Sequence, residues 1–144
     1  MKRIELTVVI DADPEAVFSV QADPESWPRW ASHMERLDLL DGSPFGLGSE
    51  VRIKPRGERA AVFRVIQYDP PRSFRWEAKV APGFGMVAGH KVEPYGGGSK
   101  VTLSLDLTGP LGAVLAPLLR RKLQTSVEKE AAGLKQFLEA GVPA

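Results

Sequence analysis

The sequence predicts an α+β fold in which an antiparallel sheet packs against one long C-terminal helix. Apolar and polar residues alternate over 3–10 and over 100–108, a pattern typical of half-buried strands. From Gly109 to Ala140 the apolar residues follow the 3.6-residue period of an amphipathic helix. Because one helix laid across a long sheet leaves a gap between the two layers, we expect this gap to be the functional part of the molecule.

Two short helices are predicted directly after the first strand. Asp13 followed by Pro14 has the residue types typical of an N-cap and a first helical position. The same pair recurs at Asp23-Pro24, and Pro28 limits this second helix to a turn or two.

Five further strands are predicted before the last one. Pro70-Pro71 forms a rigid corner between two of them, and Gly96-Gly97-Gly98 forms a turn into the last strand. The predicted intermediate strands cover 34–41, 49–54, 60–69, 73–80 and 84–94.

The terminal helix carries one apolar stripe and a basic cluster. Pro117 predicts a kink, or a true helix start near Leu118, because an interior proline loses a hydrogen bond. We interpret the basic cluster, together with nearby glutamates, as a solvated helix face rather than a membrane or nucleic-acid contact. The stripe consists of Leu111, Leu115, Leu118, Leu119, Leu123, Val127, Ala131, Leu134 and Leu138. The charged face includes Arg120, Arg121, Lys122, Glu128 and Glu130.

Length and composition limit the possible classes of protein. A chain of 144 residues predicts one domain, 1–144, with a proper core. The formal net charge of +1 favours no nucleic-acid partner, although residues 1–42 carry 4 Lys/Arg against 9 Asp/Glu. The absence of cysteine excludes disulfides and thiolate sites. No apolar stretch approaches the ~18–20 residues of a membrane span and no leader is evident, so we expect a cytoplasmic protein without integral membrane association.

Three stretches of the chain have a recognisable order of elements: IDADPEAVFSVQADPESWPRW, VIQYDPPRSFRWEA and GHKVEPYGGGSKVTLSLDLTGPLG. In this order they resemble the polyketide cyclase/dehydrase and lipid-transfer superfamily, which is related to START domains and to the birch-pollen-allergen fold. The resemblance spans nearly all of the chain. The resemblance implies a helix-grip fold, in which a curved seven-stranded antiparallel sheet wraps around the long C-terminal helix.

His90 is the main candidate for chemistry. It alternates with Met86, Ala88 and Val92, which places it on one face of its predicted strand. A histidine there suits general acid–base catalysis or a hydrogen bond to a carbonyl-bearing ligand. The position also suits a structural, partly buried histidine bonded to the helix or to a neighbouring strand, and we favour that second interpretation. His33 fits either a surface position, which we favour, or a gate to the pocket.

The large aromatic residues fit either core packing or the walls of a ligand pocket. A cavity of about 300–1,000 Å³ beneath the last helix, with His90 exposed to it, would favour a ligand-binding role. The predicted ligand-binding residues are Trp30, Phe63, Trp76, Met86, His90, Leu115 and Leu119.

Three functions remain open from the sequence. The preferred one is binding of a small hydrophobic molecule such as a lipid, a polyketide or an aromatic metabolite, by a monomer or homodimer. The resemblance also permits a cyclase/aromatase or dehydratase, in which His90 with Arg64 or Tyr68 moves protons, and a protein-interaction module. Since no G-x-S-x-G or HExxH motif and no metal-ligand spacing is present, no metal or cofactor is predicted.

Overall fold

A computed structural model describes residues 3–42 and 44–140 of the chain. All strands belong to one antiparallel sheet, and a long helix follows the last strand. The strands are β1 (Arg3–Ile10), β2 (Met34–Leu39), β3 (Glu50–Pro55), β4 (Ala61–Asp69), β5 (Ser73–Ala81), β6 (Phe84–Tyr95) and β7 (Gly98–Thr108). The helices are α1 (Pro14–Gln21), a 3-10 helix (Pro24–Arg29) and α2 (Gly109–Glu139).

The sheet has the order β1-β7-β6-β5-β4-β3-β2, so the first two strands of the chain form its opposite edges. The predicted α+β helix-grip fold is therefore confirmed, with two short helices after the first strand. β6 and β7 are longer than predicted because their pairing continues to Tyr95 and Gly98 at the turn.

Both short helices begin where the Asp-Pro pairs predict. Pro14 and Pro24 occupy the first helical positions, where a missing N–H costs nothing. Asp13 stands at the N-cap of α1, but its side chain makes no capping hydrogen bond. The pre-set φ of proline, rather than a cap, therefore marks the start of α1.

α2 runs without interruption through Pro117, so the predicted start near Leu118 is wrong. The helix begins at Gly109, whose φ of +81° lets the chain turn directly out of β7. α2 then crosses β1, β7 and β6. Its buried residues are concentrated in the second half, so the sheet grips mainly the part of α2 after Lys122.

The second half of α2 also packs closely on the segment that follows the 3-10 helix. A Cβ placed on Gly133 would overlap the carbonyl oxygen of Trp30, so backbone meets backbone there. Because Gly133 has no side chain, α2 can lie close to the loop that leads into β2. Over 3–42 and 44–140, no helix has the length and apolarity needed to cross a bilayer.

Candidate functional site: a cavity between the sheet and α2

A cavity of about 220 Å³ lies between the inner face of the sheet and the middle of α2. It is smaller than the range of about 300–1,000 Å³ that is typical of pockets for drug-sized ligands. Side chains from β3 to β7 form one wall, and two successive turns of α2 form the other. The main lining residues are Trp27, Ile53, Phe63, Trp76, Met86, Ala88, His90, Leu103, Leu105, Leu123, Ser126, Val127 and Glu130.

The space arises from unequal side-chain sizes across paired strands. Trp76 on β5 lies opposite Ala88 on β6, and Ala88 in turn lies opposite Leu105 on β7. A methyl group between two large neighbours leaves room that close-packed cores normally fill. The sheet therefore keeps a hollow beneath α2 at the level of Ala88.

His90 lies at one end of the hollow, inside an aromatic cluster. Its ring stacks on Phe74 with centroids 4.2 Å apart, and it meets Trp76 and Trp27 edge-on. Phe74 and His90 are directly paired across β5 and β6, which fixes the stack. The His90 side chain is only 3% exposed.

The hydrogen bond that His90 makes shows which of its two ring nitrogens has no backbone partner. Nδ1 lies 3.4 Å from the carbonyl oxygen of Phe74. A carbonyl only accepts, so in the neutral ring Nδ1 carries the proton and donates it there. Nε2 is then left with a lone pair that points away from the strand.

Glu130 faces this free nitrogen from α2. Its Oε2 lies 3.5 Å from Nε2 of His90, too far or too poorly aligned for a hydrogen bond. This carboxyl oxygen is buried and has no hydrogen-bond partner among the described residues. Buried polar atoms are nearly always satisfied, so an unsatisfied one on a cavity wall points to a missing partner.

Burial governs the protonation of both groups. It lowers the pKa of His90 to about 4, an effect that the bond to Phe74 partly offsets. It raises the pKa of Glu130 to about 8. Between these values the pair carries one ionisable proton and no net charge, because two isolated charges in this apolar surrounding are unfavourable.

The sequence interpretation missed Glu130, which was assigned to the solvated face of α2. The signal was present in the helical period, because Glu130 follows Val127 by three residues and precedes Leu134 by four. Both of those residues are buried, so Glu130 occupies the apolar stripe.

His33 lies at the rim of the cavity and is half-buried, contrary to the surface position we favoured. Its Nδ1 is buried without a hydrogen-bond partner in the described part of the chain. Burial, and then the charge of Lys129, lower the pKa of His33, while Glu58 acts in the opposite direction. The other rim residues are Pro55, Glu58, Arg59, Ala61 and Val80.

Four of the predicted ligand-binding residues line this cavity, and three do not. Phe63, Trp76, Met86 and His90 lie on its walls. Trp30 is buried beside it against Trp27, with ring centroids 4.8 Å apart.

Leu115 and Leu119 are half-buried on α2 and lie outside the lining. They precede the turns that the sheet grips, so the helical contribution comes instead from Leu123 and the residues after it.

The structure does not bring Arg64 or Tyr68 to His90. Arg64 is exposed on the outer face of the sheet, where it pairs across strands with Glu77 and Glu50. A register shift between Val65 and Gln67 then returns Tyr68 to the inner face. Its ring packs on Phe18 and Phe45, outside the cavity lining. Of the three catalytic candidates from the sequence, His90 alone lies on the cavity wall.

Comparisons with known proteins fit this architecture. Residues 1–139 match the model of the family described as polyketide cyclase/dehydrase and lipid transport. An uncharacterized protein of Mycobacterium tuberculosis, Rv2574, is 27% identical over 139 residues, which cover 93% of this chain and 83% of that protein. A similar protein of Mycobacterium bovis, Mb2604, matches to the same extent.

Several solved structures share the fold. The di-domain aromatase/cyclase BexL superposes with a TM-score of 0.80 at 22% identity, over 99% of this chain and 48% of that one. The Zhui aromatase/cyclase from Streptomyces sp. R1128 gives 0.79 at 16% identity, covering 99% and 96% of the two chains. Ara h 8.0201 gives 0.76 at 14% identity, covering 96% and 98%.

Proposed function

We propose, because the chain belongs to the polyketide cyclase/dehydrase and lipid transport family, that its cavity binds a small, mostly apolar molecule with one polar group. The observation that carries the proposal is the Oε2 atom of Glu130, which has no hydrogen-bond partner among the described residues and lies on a largely apolar wall. A carbonyl or hydroxyl of the ligand would supply the missing hydrogen bond. The aromatic side chains would cover the remainder of the molecule.

The size of the cavity narrows the class of ligand. Pockets for drug-sized molecules measure about 300–1,000 Å³, and this one measures about 220 Å³. We therefore propose a ligand of one or two rings with a single oxygen substituent. A two-chain lipid would fit only after α2 moved away from the sheet.

Titration with 2-naphthol tests this proposal. Two of the three tryptophans, Trp27 and Trp76, line the cavity, so binding should quench the intrinsic fluorescence. Ala88→Phe should fill the hollow and abolish the quenching. Val62→Phe places the same phenyl side chain at an exposed strand position and should leave binding intact. Equal quenching in wild type and Ala88→Phe would rule out this cavity as the binding site.

A second candidate function, dehydration of a β-hydroxy ketone, is favoured by the His90–Glu130 pair. Nε2 of neutral His90 would take the proton next to the carbonyl. The neutral carboxyl of Glu130 would protonate the hydroxyl, which leaves as water while the carbon–carbon double bond forms. The proton then returns from Nε2 to Oε2 across 3.5 Å.

The test of this candidate uses 4-hydroxy-4-phenylbutan-2-one, whose dehydration gives a conjugated ketone that is followed by ultraviolet absorbance. Wild type should accelerate the reaction, and Glu130→Gln should lose the acid and most of that rate. Glu128→Gln, exposed on the same helix, should keep it. Identical rates in the two variants would refute the catalytic role and leave ligand binding unaffected.

A further inference from the structure

The first turns of α2 expose an apolar face that the sheet does not cover. Residues 109–119 contain no charged or hydrogen-bonding side chain. Leu111, Val114 and Leu118 are 39%, 69% and 78% exposed. Their spacing of three and four residues places them on one side of the helix, which we call the exposed apolar face. Helical segments that are apolar on all sides are normally buried, so we expect another surface to cover the first turns of α2.

A basic cluster borders the exposed apolar face. Arg120, Arg121 and Lys122 follow the Leu118-Leu119 pair, and residues 109–127 contain no acidic residue. Lys122 lies 3.6 Å from the carboxylate of Glu58, in a pair that is largely solvent-exposed. The two arginines are exposed, and neither is paired with a carboxylate among the described residues.

The exposed apolar face continues toward the rim of the cavity. The backbone N–H of Leu111 donates to the carbonyl of Gly83, which fixes the β5–β6 turn beside the start of α2. On that hairpin, Val80 is 46% exposed and also lines the cavity. A surface in contact with the exposed apolar face would therefore lie next to the opening of the cavity.

We propose that the exposed apolar face of α2 docks on an anionic lipid bilayer. Leu111, Val114 and Leu118 would enter the boundary between head groups and acyl chains, while Arg121 and Lys122 reach the lipid phosphates. These two residues follow Leu118 by three and four positions, so they lie on the same side of the helix as the exposed apolar face. Their long side chains can extend from that side to the head groups. The docking does not depend on what the cavity binds.

Charge favours a bilayer over a second copy of the chain. A twofold pairing of this face would bring the basic clusters of both copies to the contact. Residues 109–127 offer no carboxylate to neutralise them, and the nearby carboxylate of Glu58 already pairs with Lys122. Anionic head groups supply that missing negative charge.

Co-sedimentation with lipid vesicles tests the proposal. The protein should bind vesicles of equal parts phosphatidylcholine and phosphatidylglycerol, bind pure phosphatidylcholine far less, and dissociate as salt rises. Arg121→Gln/Lys122→Gln should weaken binding roughly thirtyfold, since each basic residue near such a surface contributes about one factor of five. Val114→Ser/Leu118→Ser should abolish it.

Two control variants test whether vesicle binding depends specifically on the exposed apolar face and its basic residues. Leu47→Ser changes a residue that is 71% exposed on a remote loop, and Arg29→Gln removes an exposed charge elsewhere. Both should bind like wild type. Absence of binding to anionic vesicles, or equal losses in the controls, would overturn the proposal. So would a wild-type dimer that Val114→Ser/Leu118→Ser dissociates without any vesicle binding, because a second copy would then occupy the face.

Discussion

His90 on β6 and Glu130 on α2 place Nε2 and Oε2 3.5 Å apart inside the layer between sheet and helix. Both side chains are at least 87% buried, since they are 3% and 13% exposed. The carboxyl oxygen has no hydrogen-bond partner within the described residues. A buried pair of this kind costs stability, and it makes the inner end of the cavity polar.

The pH dependence of stability should reveal the proton held by this pair. Folding raises the pKa of Glu130 from 4.5 to about 8, so its contribution destabilises the protein increasingly as pH rises through that interval. Folding lowers the pKa of His90 from 6.5 to about 4, which gives the opposite slope between pH 4 and 6.5. The two slopes oppose each other up to pH 6.5, and from there to pH 8 Glu130 acts alone.

The free energy of unfolding should therefore fall between pH 6.5 and 8, by at most about 1.4 kcal/mol per pH unit. Urea unfolding of wild type and Glu130→Gln at both pH values measures this. The decline should be absent in Glu130→Gln and retained in Glu128→Gln. An unchanged decline in Glu130→Gln would show that the carboxyl is already ionised at pH 6.5.

Replacing both members of the pair should stabilise the protein relative to replacing one. His90→Leu alone removes the bond to the Phe74 carbonyl and leaves the Glu130 carboxyl buried in an apolar surrounding. His90→Leu/Glu130→Leu removes the polar groups altogether. Replacing both members of a buried polar contact by apolar groups of similar shape can be nearly neutral or stabilising, whereas removing one member leaves the other without a partner. Thermal and urea unfolding of the four proteins measures the coupling, and strictly additive effects would mean that the two side chains do not interact.

Gly133→Ala should destabilise the fold although alanine is the better helix former. The new methyl group would overlap the carbonyl oxygen of Trp30, and overpacking of this kind costs about 1–3 kcal/mol. Gly112→Ala on the same helix is the control. Its methyl group would meet the Leu107 backbone at 3.4 Å, an ordinary contact. That variant should gain up to about 1 kcal/mol of helix propensity. Equal urea midpoints for the two variants would contradict the close approach of α2 to this loop.

Asp13→Ala should have little effect on stability. N-cap replacements typically cost about 1 kcal/mol because a side-chain hydrogen bond is lost. Asp13 makes no such bond, so we expect a change below about 0.5 kcal/mol by urea unfolding. A loss of 1 kcal/mol or more would mean that Asp13 caps α1 in solution. Because Pro14 pre-sets the first turn, Pro14→Ala should cost more than Asp13→Ala.

Sequence patterns with a local cause were enough to predict the architecture. The alternation in β1 and β7 follows from a sheet with one apolar face, and the Asp-Pro pairs mark the two short helices. The 3.6-residue period of apolar residues continues along α2, and it predicts the length of the helix because every turn has the same geometry. Placement of Phe63, Trp76, Met86 and His90 on the inner face depends on the same alternation.

Tertiary packing decided the remaining features of the site. Where the sheet grips α2 is not a local property, so Leu115 and Leu119 have the right helical phase and still lie outside the cavity. The register shift in β4 turns Tyr68 to the inner face, and no residue type in this strand predicts such a shift. The partnership of His90 with Glu130 requires two elements to meet, which residue spacing along one chain does not specify. The sequence by itself therefore determined which elements form and which faces are apolar. Only the packing of the helix on the sheet decided which side chains share the cavity, because that depends on long-range contacts and side-chain volumes.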